Sequence, residues 1–278
     1  MWPTGKYRAI AGQLGGEHLV EPTIASWDDL ALVHTREYLD KLRTNTLTPD
    51  DIATLELPWQ PAFADLFRLM AGGTIAAASA ALEDGAAAHL GGGLHHAFAN
   101  HGEGFCPLND VAVAVRRLQH DDRIRRAAIV DLDVHHGNGT SMIFERDESV
   151  FTFSMHQQLN YPFFKPRSDL DIGLENGVRD ERYLSLLADA LPRVMSSGPG
   201  IVCYLAGADP FEGDQLGGLR ITKAGLAERD RLVIGAARRA GVPLVTVLAG
   251  GYAADEADTV DIHLATIRLM LESSSDQR

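Results

Sequence analysis

The chain is short of cysteine, of clustered basic charge and of long apolar runs, and each shortage excludes something. Its two cysteines, Cys106 and Cys203, are too few for a disulfide framework, and neither has a second cysteine at metal-finger spacing. Both are expected to be reduced. No apolar run reaches the roughly 18 residues that span a bilayer, and the opening Met1-Trp2-Pro3-Thr4-Gly5-Lys6 has no signal-peptide core. A cytoplasmic protein with no membrane partner is expected. Lys and Arg number 25 against 38 Asp and Glu, for a net charge of -13. Beyond Arg116-Arg117 and Arg123-Ile124-Arg125-Arg126 there is no basic cluster, which argues against nucleic acid and is compatible with cationic substrates.

What is present is an ordinary globular profile, 45% hydrophobic and 23% charged, read as a single domain over residues 1–278. No internal repeat, low-complexity segment or interdomain linker stands out. Ser26-Trp27-Asp28-Asp29 has the pattern of a capping box, and a helix is expected from Thr35 to Arg43. Ala62 to Leu82 carries an apolar face and is crowded with small residues, Ala71-Gly72-Gly73 and Ala76-Ala77-Ala78, which permit close packing against a sheet; it reads as two buried helices. Apolar strands are expected at Ala127–Val134, Val150–His156, Ile201–Ala206 and Pro243–Leu248. Helices are expected from Asn109-Asp110 onward, at Gly139–Glu145, Arg182–Met195, Lys223–Ala240 and Ala257–Leu271. The stretch from Asn160 to Ile172 reads as a loop, and Ser273 to Arg278 as a frayed tail. Fully apolar strands alternating with helices predict an α/β fold whose central, mostly parallel sheet is covered on both faces, with ligands outside the carboxyl ends of the strands.

The most informative stretch is Asp131-Leu132-Asp133-Val134-His135-His136-Gly137-Asn138-Gly139. Strand side chains alternate, so Asp131, Asp133 and His135 share one face while Leu132 and Val134 take the other. Two carboxylates on one face of a buried strand are costly unless a cation or a hydrogen-bonded partner compensates them. A carboxylate and an imidazole two residues apart suit zinc. Taken alone, such residues also serve as caps for the next helix, and the remaining motifs decide. Acids or glycines recur where other strands stop, in Ala206-Gly207-Ala208-Asp209 and Ala249-Gly250-Gly251-Tyr252. The glycines of Leu90-Gly91-Gly92-Gly93-Leu94-His95-His96-Ala97 lack the Lys-Ser/Thr of a phosphate loop, so close backbone approach is their expected role.

With Gly104-Phe105-Cys106-Pro107-Leu108-Asn109-Asp110, these five separated motifs resemble, in order, the zinc-dependent histone deacetylase family and its bacterial relatives, from about Ser26 to the last helix. The resemblance implies an arginase/deacetylase-like three-layer fold and a zinc site that hydrolyses the amide of an N-acetylated amine, typically acetyl-lysine. By motif, Asp133, His135 and Asp209 would hold Zn2+, and Tyr252 would donate to the oxyanion. His96 would be the general base and His95 the electrostatic partner or acid, with Asp131 behind His95 and Asn138 behind His96. Many relatives carry Asp where this chain has Asn138. Gly104, Phe105, Leu216 and Gly251 would contact substrate, with one aromatic of Tyr161, Phe163 and Phe164 on the tunnel wall. A structural K+ would use main-chain oxygens of Asp131, Asp133, His135 and Met155 with the Ser154 side chain. Cys106 beside the site is expected to pack, not to act as a nucleophile.

One departure is that relatives place a strand and a loop before the segment matching Pro3-Thr4-Gly5-Lys6-Tyr7, where this chain nearly begins, so part of the tunnel rim and of the internal acetate pocket is expected to be absent. Two other readings compete: a small-molecule (acetylpolyamine) deacetylase, and a catalytically dead protein that holds zinc for interaction. Intact Tyr252, His95 and His96 argue against the latter. A dimanganese arginase-like centre needs more carboxylates than the motifs supply. At the tunnel mouth, polyamine-selective relatives place a carboxylate where this chain has Leu216, which favours acetyl-lysine, although Glu212 and Asp214 lie close enough in sequence to substitute.

Overall fold

The computed structural model describes residues 5–16 and 19–275. Chain order is α1 (Gly5–Leu14), α2 (Trp27–Leu30), α3 (Arg36–Thr44), α4 (Pro49–Leu55), α5 (Pro61–Asp84), β1 (Ala86–His89), α6 (Asp110–His120), β2 (Ala127–Asp131), α7 (Asn138–Phe144), β3 (Val150–Gln157), β4 (Leu170–Leu174), α8 (Asp180–Ser196), β5 (Val202–Leu205), α9 (Lys223–Ala240), β6 (Leu244–Val247) and α10 (Glu256–Ser275). Met1–Thr4 and the tail beyond Ser275 lie outside the described residues; within them, Ser273 to Ser275 continue α10 instead of fraying.

The six strands form one sheet in the order β1-β6-β5-β2-β3-β4, and every pair is parallel. Side-chain alternation divides the core. Ala128, Val130, Val202 and Tyr204 pack with Tyr183 and Leu187 of α8 and Leu226 and Val233 of α9. Ala127, Ile129, Cys203 and Leu205 pack on the opposite face with Ala77 and Ala78 of α5 and Val111 and Val115 of α6. The result is three layers, helices on both sides of a buried sheet, as the all-apolar strands require.

From β2 the chain moves outward through β3 to β4, then returns to place β5 on the other side of β2. The carboxyl ends of β2 and β5 therefore flank a switch point, where an open parallel sheet leaves a crevice.

Several expectations shift. The Ala62–Leu82 segment is one helix of 24 residues, not two. Its glycines allow the close approach expected of them: a Cβ on Gly72 would lie 1.8 Å from Thr23 O, and one on Gly73 2.4 Å from the His89 ring of β1. The expected loop from Asn160 to Ile172 ends in strand β4, whose Asp171 and Gly173 hide the apolar pattern. Helices α1 and α4 and the Ala-Ala-Ala-His strand β1 have no counterpart in the pattern read from sequence. Strand β2 ends its ladder at Asp131, yet Leu132 and Val134 still point into the core, so the alternation persists past the last strand residue.

Candidate active site

The segments that follow β2 and β5 bring Asp133, His135 and Asp209 together, each offering an atom within 4.8 Å of the others. Backbone amides fix the carboxylates. Asp209 Oδ1 accepts from Val134 N at 2.8 Å, Asp133 Oδ2 from Gly250 N at 2.8 Å, and Asp133 Oδ1 from His135 N at 3.0 Å. His135 Nδ1 lies 3.0 Å from Asp133 Oδ1 and 3.4 Å from Asp209 Oδ2. Asp209 Oδ2 is buried and has no partner of hydrogen-bond geometry. Two buried carboxylates with one orphaned oxygen fit a cation better than they fit each other.

Behind Asp209, the buried Arg229 of α9 donates from Nη1 to Gly207 O at 2.5 Å and from Nε to Asp230 at 2.9 Å. Asp230 also accepts from Tyr204 at 2.5 Å and Thr266 at 2.6 Å. This buried network holds the turn that presents Asp209.

The histidine loop is held by the start of α6. Asp110 accepts from Gly93 N at 3.1 Å and Leu94 N at 2.7 Å, while Asn109 caps α6 and donates to Ala97 O at 3.2 Å. The loop thereby sets His95 against His96, with ring centroids 4.1 Å apart and the planes tilted by 52°, both buried. His95 Nδ1 donates to Asp131 Oδ2 at 2.6 Å, and His96 Nδ1 to Asn138 Oδ1 at 2.8 Å. Burial disfavours a charged His95, but Asp131 and Asp133 outweigh it and lift its pKa to about 9. His96 is pushed well below the ordinary histidine value by burial and by His95 and His135. One imidazole is therefore cationic and the other neutral at neutral pH, a division of roles suited to an acid and a base.

The acids divide as well. Burial and the charge of Asp133 push Asp209 up to about 7, whereas His95 and His135 overcome burial and hold Asp133 well below the usual carboxylate range. Burial works against the imidazolium of His135, but Asp133 and Asp209 lift it to about 10. A divalent cation would take the place of that shared proton.

These groups line a cleft of about 230 Å³, walled by His95, His96, Asp133, His135, Asp209 and Gly250 at its floor and by Gly104, Phe105, Tyr161, Leu216 and Tyr252 higher up. Tyr161 is the aromatic on the wall: its ring meets His96 edge-on at 5.0 Å, while Phe163 and Phe164 are exposed at 104% and 58%. Phe105 is held at φ 66 and Gly104 at φ 52, in the left-handed region that costs a phenylalanine strain. The wall takes Gly250, not Gly251, whose carbonyl instead accepts from Lys6 Nζ at 3.4 Å. Burial and nearby acids keep the Tyr252 hydroxyl protonated far above its ordinary pKa, and burial likewise raises the Cys106 thiol, so it remains an unreactive thiol. Asp131 pairs with Ser154 in the β2–β3 register, which puts these two residues side by side.

The histone deacetylase domain profile matches residues 6–267 of this chain. The chain belongs to the histone deacetylase family. It is 42% identical over 269 residues to an uncharacterised protein of Picosynechococcus sp., covering 94% of this chain and 90% of that one. It is 36% identical to histone deacetylase 2 of Arabidopsis thaliana, covering 89% of this chain and 66% of the plant protein. It is 30% identical to a probable deacetylase of Methanothermobacter thermautotrophicus, covering 90% and 80%. The crystal structure of the HDA15 HD domain superposes with a TM-score of 0.79 at 26% identity over 98% of this chain and 87% of that domain. The six-stranded parallel sheet between helical layers is thus the histone deacetylase fold.

Three features of this deacetylase-family site escape a reading of the sequence. Glu56, the left-handed C-cap of α4, lines the cleft. Glu103 accepts from Asn138 Nδ2 at 2.7 Å and from the Tyr161 hydroxyl at 3.3 Å. Asp214, a candidate for the tunnel mouth, is instead engaged by the backbone amides of Tyr252 at 2.6 Å, Leu216 at 2.8 Å and Gly217 at 3.1 Å. Neither Asp214 nor Glu212 lines the cleft. A second His-His-Asp group, His136, His156 and Asp171, stands apart from the cleft lining, with His136 Nε2 3.3 Å from Asp171 Oδ1.

Proposed function

We propose that this chain hydrolyses the amide of an N-acetylated amine, acetyl-lysine foremost, releasing acetate and the free amine at a zinc held by Asp133, His135 and Asp209. The observation that carries this is the buried, partnerless Asp209 Oδ2 facing His135 and Asp133 at the floor of a cleft that also holds a charged and a neutral histidine. Three protein ligands are the set expected of a catalytic zinc. Bound zinc supplies Lewis acidity toward the amide carbonyl and the attacking water.

The chain's own groups do the rest. With its proton on Nδ1, directed to Asn138, His96 keeps a free electron pair on Nε2 to accept the proton of the water. His95, held cationic by Asp131, returns a proton to the departing amine. The Tyr252 hydroxyl donates to the oxygen on which negative charge develops. Gly104, Phe105, Tyr161 and Leu216 line the path of an aliphatic chain, and Gly251 shapes the turn beneath Tyr252. The neighbouring turn would hold a structural K+ through main-chain oxygens of Asp131, Asp133, His135 and Met155 and the Ser154 hydroxyl.

Acetylpolyamines are the competing substrates, and Glu56 on the cleft wall is the observation in their favour, since a carboxylate there would receive a distal ammonium. Leu216 on the same wall, and the engagement of Asp214 by backbone amides, weigh toward acetyl-lysine. Zinc-loaded protein assayed on acetyl-lysine peptides, acetylspermidine and acetylputrescine separates the readings. The expected result is a higher kcat/KM for the peptides. Preference for the polyamines overturns the lysine assignment, and no turnover of any of them overturns the enzyme.

A further inference from the structure

Asn138 is fully buried and has an amide side chain, whose two ends differ only in being donor or acceptor. Its neighbours must decide which end faces which way. A carboxylate only accepts, so Glu103, 2.7 Å away, takes the Nδ2 end. The Oδ1 end is then left for His96 Nδ1 at 2.8 Å, which has to carry the imidazole proton. With the amide reversed, an oxygen would face the Glu103 carboxylate and an N–H would face His96 Nδ1. The proton of His96 would then move to Nε2, the nitrogen that the proposed reaction needs free.

We infer that Glu103 is the positioning residue for the general base: it orients the Asn138 amide and through it sets the tautomer of His96. The inference rests on the deacetylase reading for its consequence in catalysis, but not for the tautomer itself. Glu103 does not line the cleft; it touches the site through Asn138 and the Tyr161 hydroxyl, and of these two only Asn138 is hydrogen-bonded to His96. Its backbone pairs with Cys106 through both amides, at 3.1 and 2.9 Å, so trimming the side chain leaves the Gly104-Phe105 turn in place. Burial pushes the Glu103 carboxyl up, and interactions with His101, Asn138 and Tyr161 outweigh it, so the group stays ionised.

The test is a double-mutant cycle on the zinc-loaded full chain, with the acetylated amine it turns over best. Glu103→Ala should lower kcat about tenfold, the low end for loss of a residue that orients a site histidine, with KM and zinc content unchanged. Glu103→Gln keeps a carbonyl acceptor for Asn138 Nδ2 and should recover most of the rate. In an Asn138→Asp background there is no amide to orient and two carboxylates face each other, so Glu103→Ala should cost nothing or raise kcat. Tyr161→Phe controls for the second partner of Glu103. The ¹⁵N shifts of the His96 ring report the tautomer even without turnover: Nδ1 protonated in the parent, mixed in Glu103→Ala. An unchanged tautomer in Glu103→Ala, or the same loss of rate in both backgrounds, overturns the assignment. A parent that turns over no acetylated amine but shows the expected shifts overturns the proposed function and leaves the orienting role standing.

Discussion

Gly250→Ala perturbs the proposed zinc ligands by a single methyl group, and the structure sets the size of the effect. The Gly250 amide already donates to Asp133 Oδ2, and a Cβ at this position would lie 2.0 Å from Asp209 Oδ2 and 2.6 Å from Asp133 Oδ2. The backbone here is not left-handed, so the cost is contact and not conformation. To move from 2.0 Å to an ordinary contact at 3.4 Å, the Asp209 oxygen must retreat by about 1.4 Å. Metal–ligand distances tolerate about 0.2 Å. The other oxygen of Asp209 is pinned by Val134 N, so the carboxylate cannot swing away freely. Overpacking of this kind costs about 1 to 3 kcal/mol, and each kcal/mol lowers the melting temperature of a chain this size by about 2 to 4 °C. The sharper readout is zinc itself. Wild type should gain about 4 kcal/mol of stability at a thousandfold excess of zinc over its Kd, while Gly250→Ala should gain little and retain little metal by elemental analysis. Gly12→Ala is the control, because an exposed Cβ on α1 meets nothing within 4 Å; it should stabilise by up to about 1 kcal/mol and leave zinc binding alone. Wild-type zinc affinity in Gly250→Ala would refute the placement of the metal between these carboxylates.

Tyr252→Phe removes the proposed oxyanion donor and should lower kcat by roughly 10² to 10³ with zinc retained; an unchanged kcat with a rate-limiting chemical step would remove Tyr252 from that role. Buried His34 donates from Nδ1 to Phe98 O at 3.0 Å and accepts at Nε2 from Asn109 N at 3.0 Å, and burial lowers its pKa to about 4. Because the folded value lies below the ordinary 6.5, its contribution is full above about pH 6.5 and is lost as pH falls toward 4, by about 3 kcal/mol in all. Urea melts of wild type and His34→Gln should therefore converge on acidification, and a constant gap between them would contradict this. Leu216→Glu places a carboxylate on the cleft wall and should shift the ratio of kcat/KM from acetyl-lysine peptide toward acetylspermidine, as a charge pair at that position requires; an unmoved ratio would show that Leu216 does not face the distal end of the substrate.

Strands buried on both faces are continuous apolar runs, which is why β2, β3, β5 and β6 stand out in the sequence. Edge strands carry no such run: β1 is three alanines and a histidine, and β4 alternates partly buried with exposed residues. The small residues around Gly72-Gly73 announce close packing, but their partners, the Thr23 carbonyl and the His89 ring, are remote in sequence. The same reasoning separates the site residues. Asp131, Asp133, His135 and Asp209 sit where apolar strands stop, so local pattern exposes them. Glu56 and Glu103 are single acids in connecting segments, and only the fold brings them to the cleft and to Asn138. The choice of Tyr161 over Phe163 and Phe164 depends on the path of the loop across the site, and the engagement of Asp214 depends on backbone amides that point at it. Neither has a signature in residue type or spacing.

Acetate release from an acetyl-lysine peptide by the protein stripped of metal, then supplied with one equivalent of Zn2+, beside Asp209→Ala treated in the same way, decides whether zinc at these residues drives the proposed hydrolysis. The stripped protein should release none, one equivalent of zinc should restore release, and Asp209→Ala should show neither zinc retention nor recovery. Full activity of the stripped protein, or zinc-loaded Asp209→Ala with wild-type metal content and rate, would contradict that role for zinc.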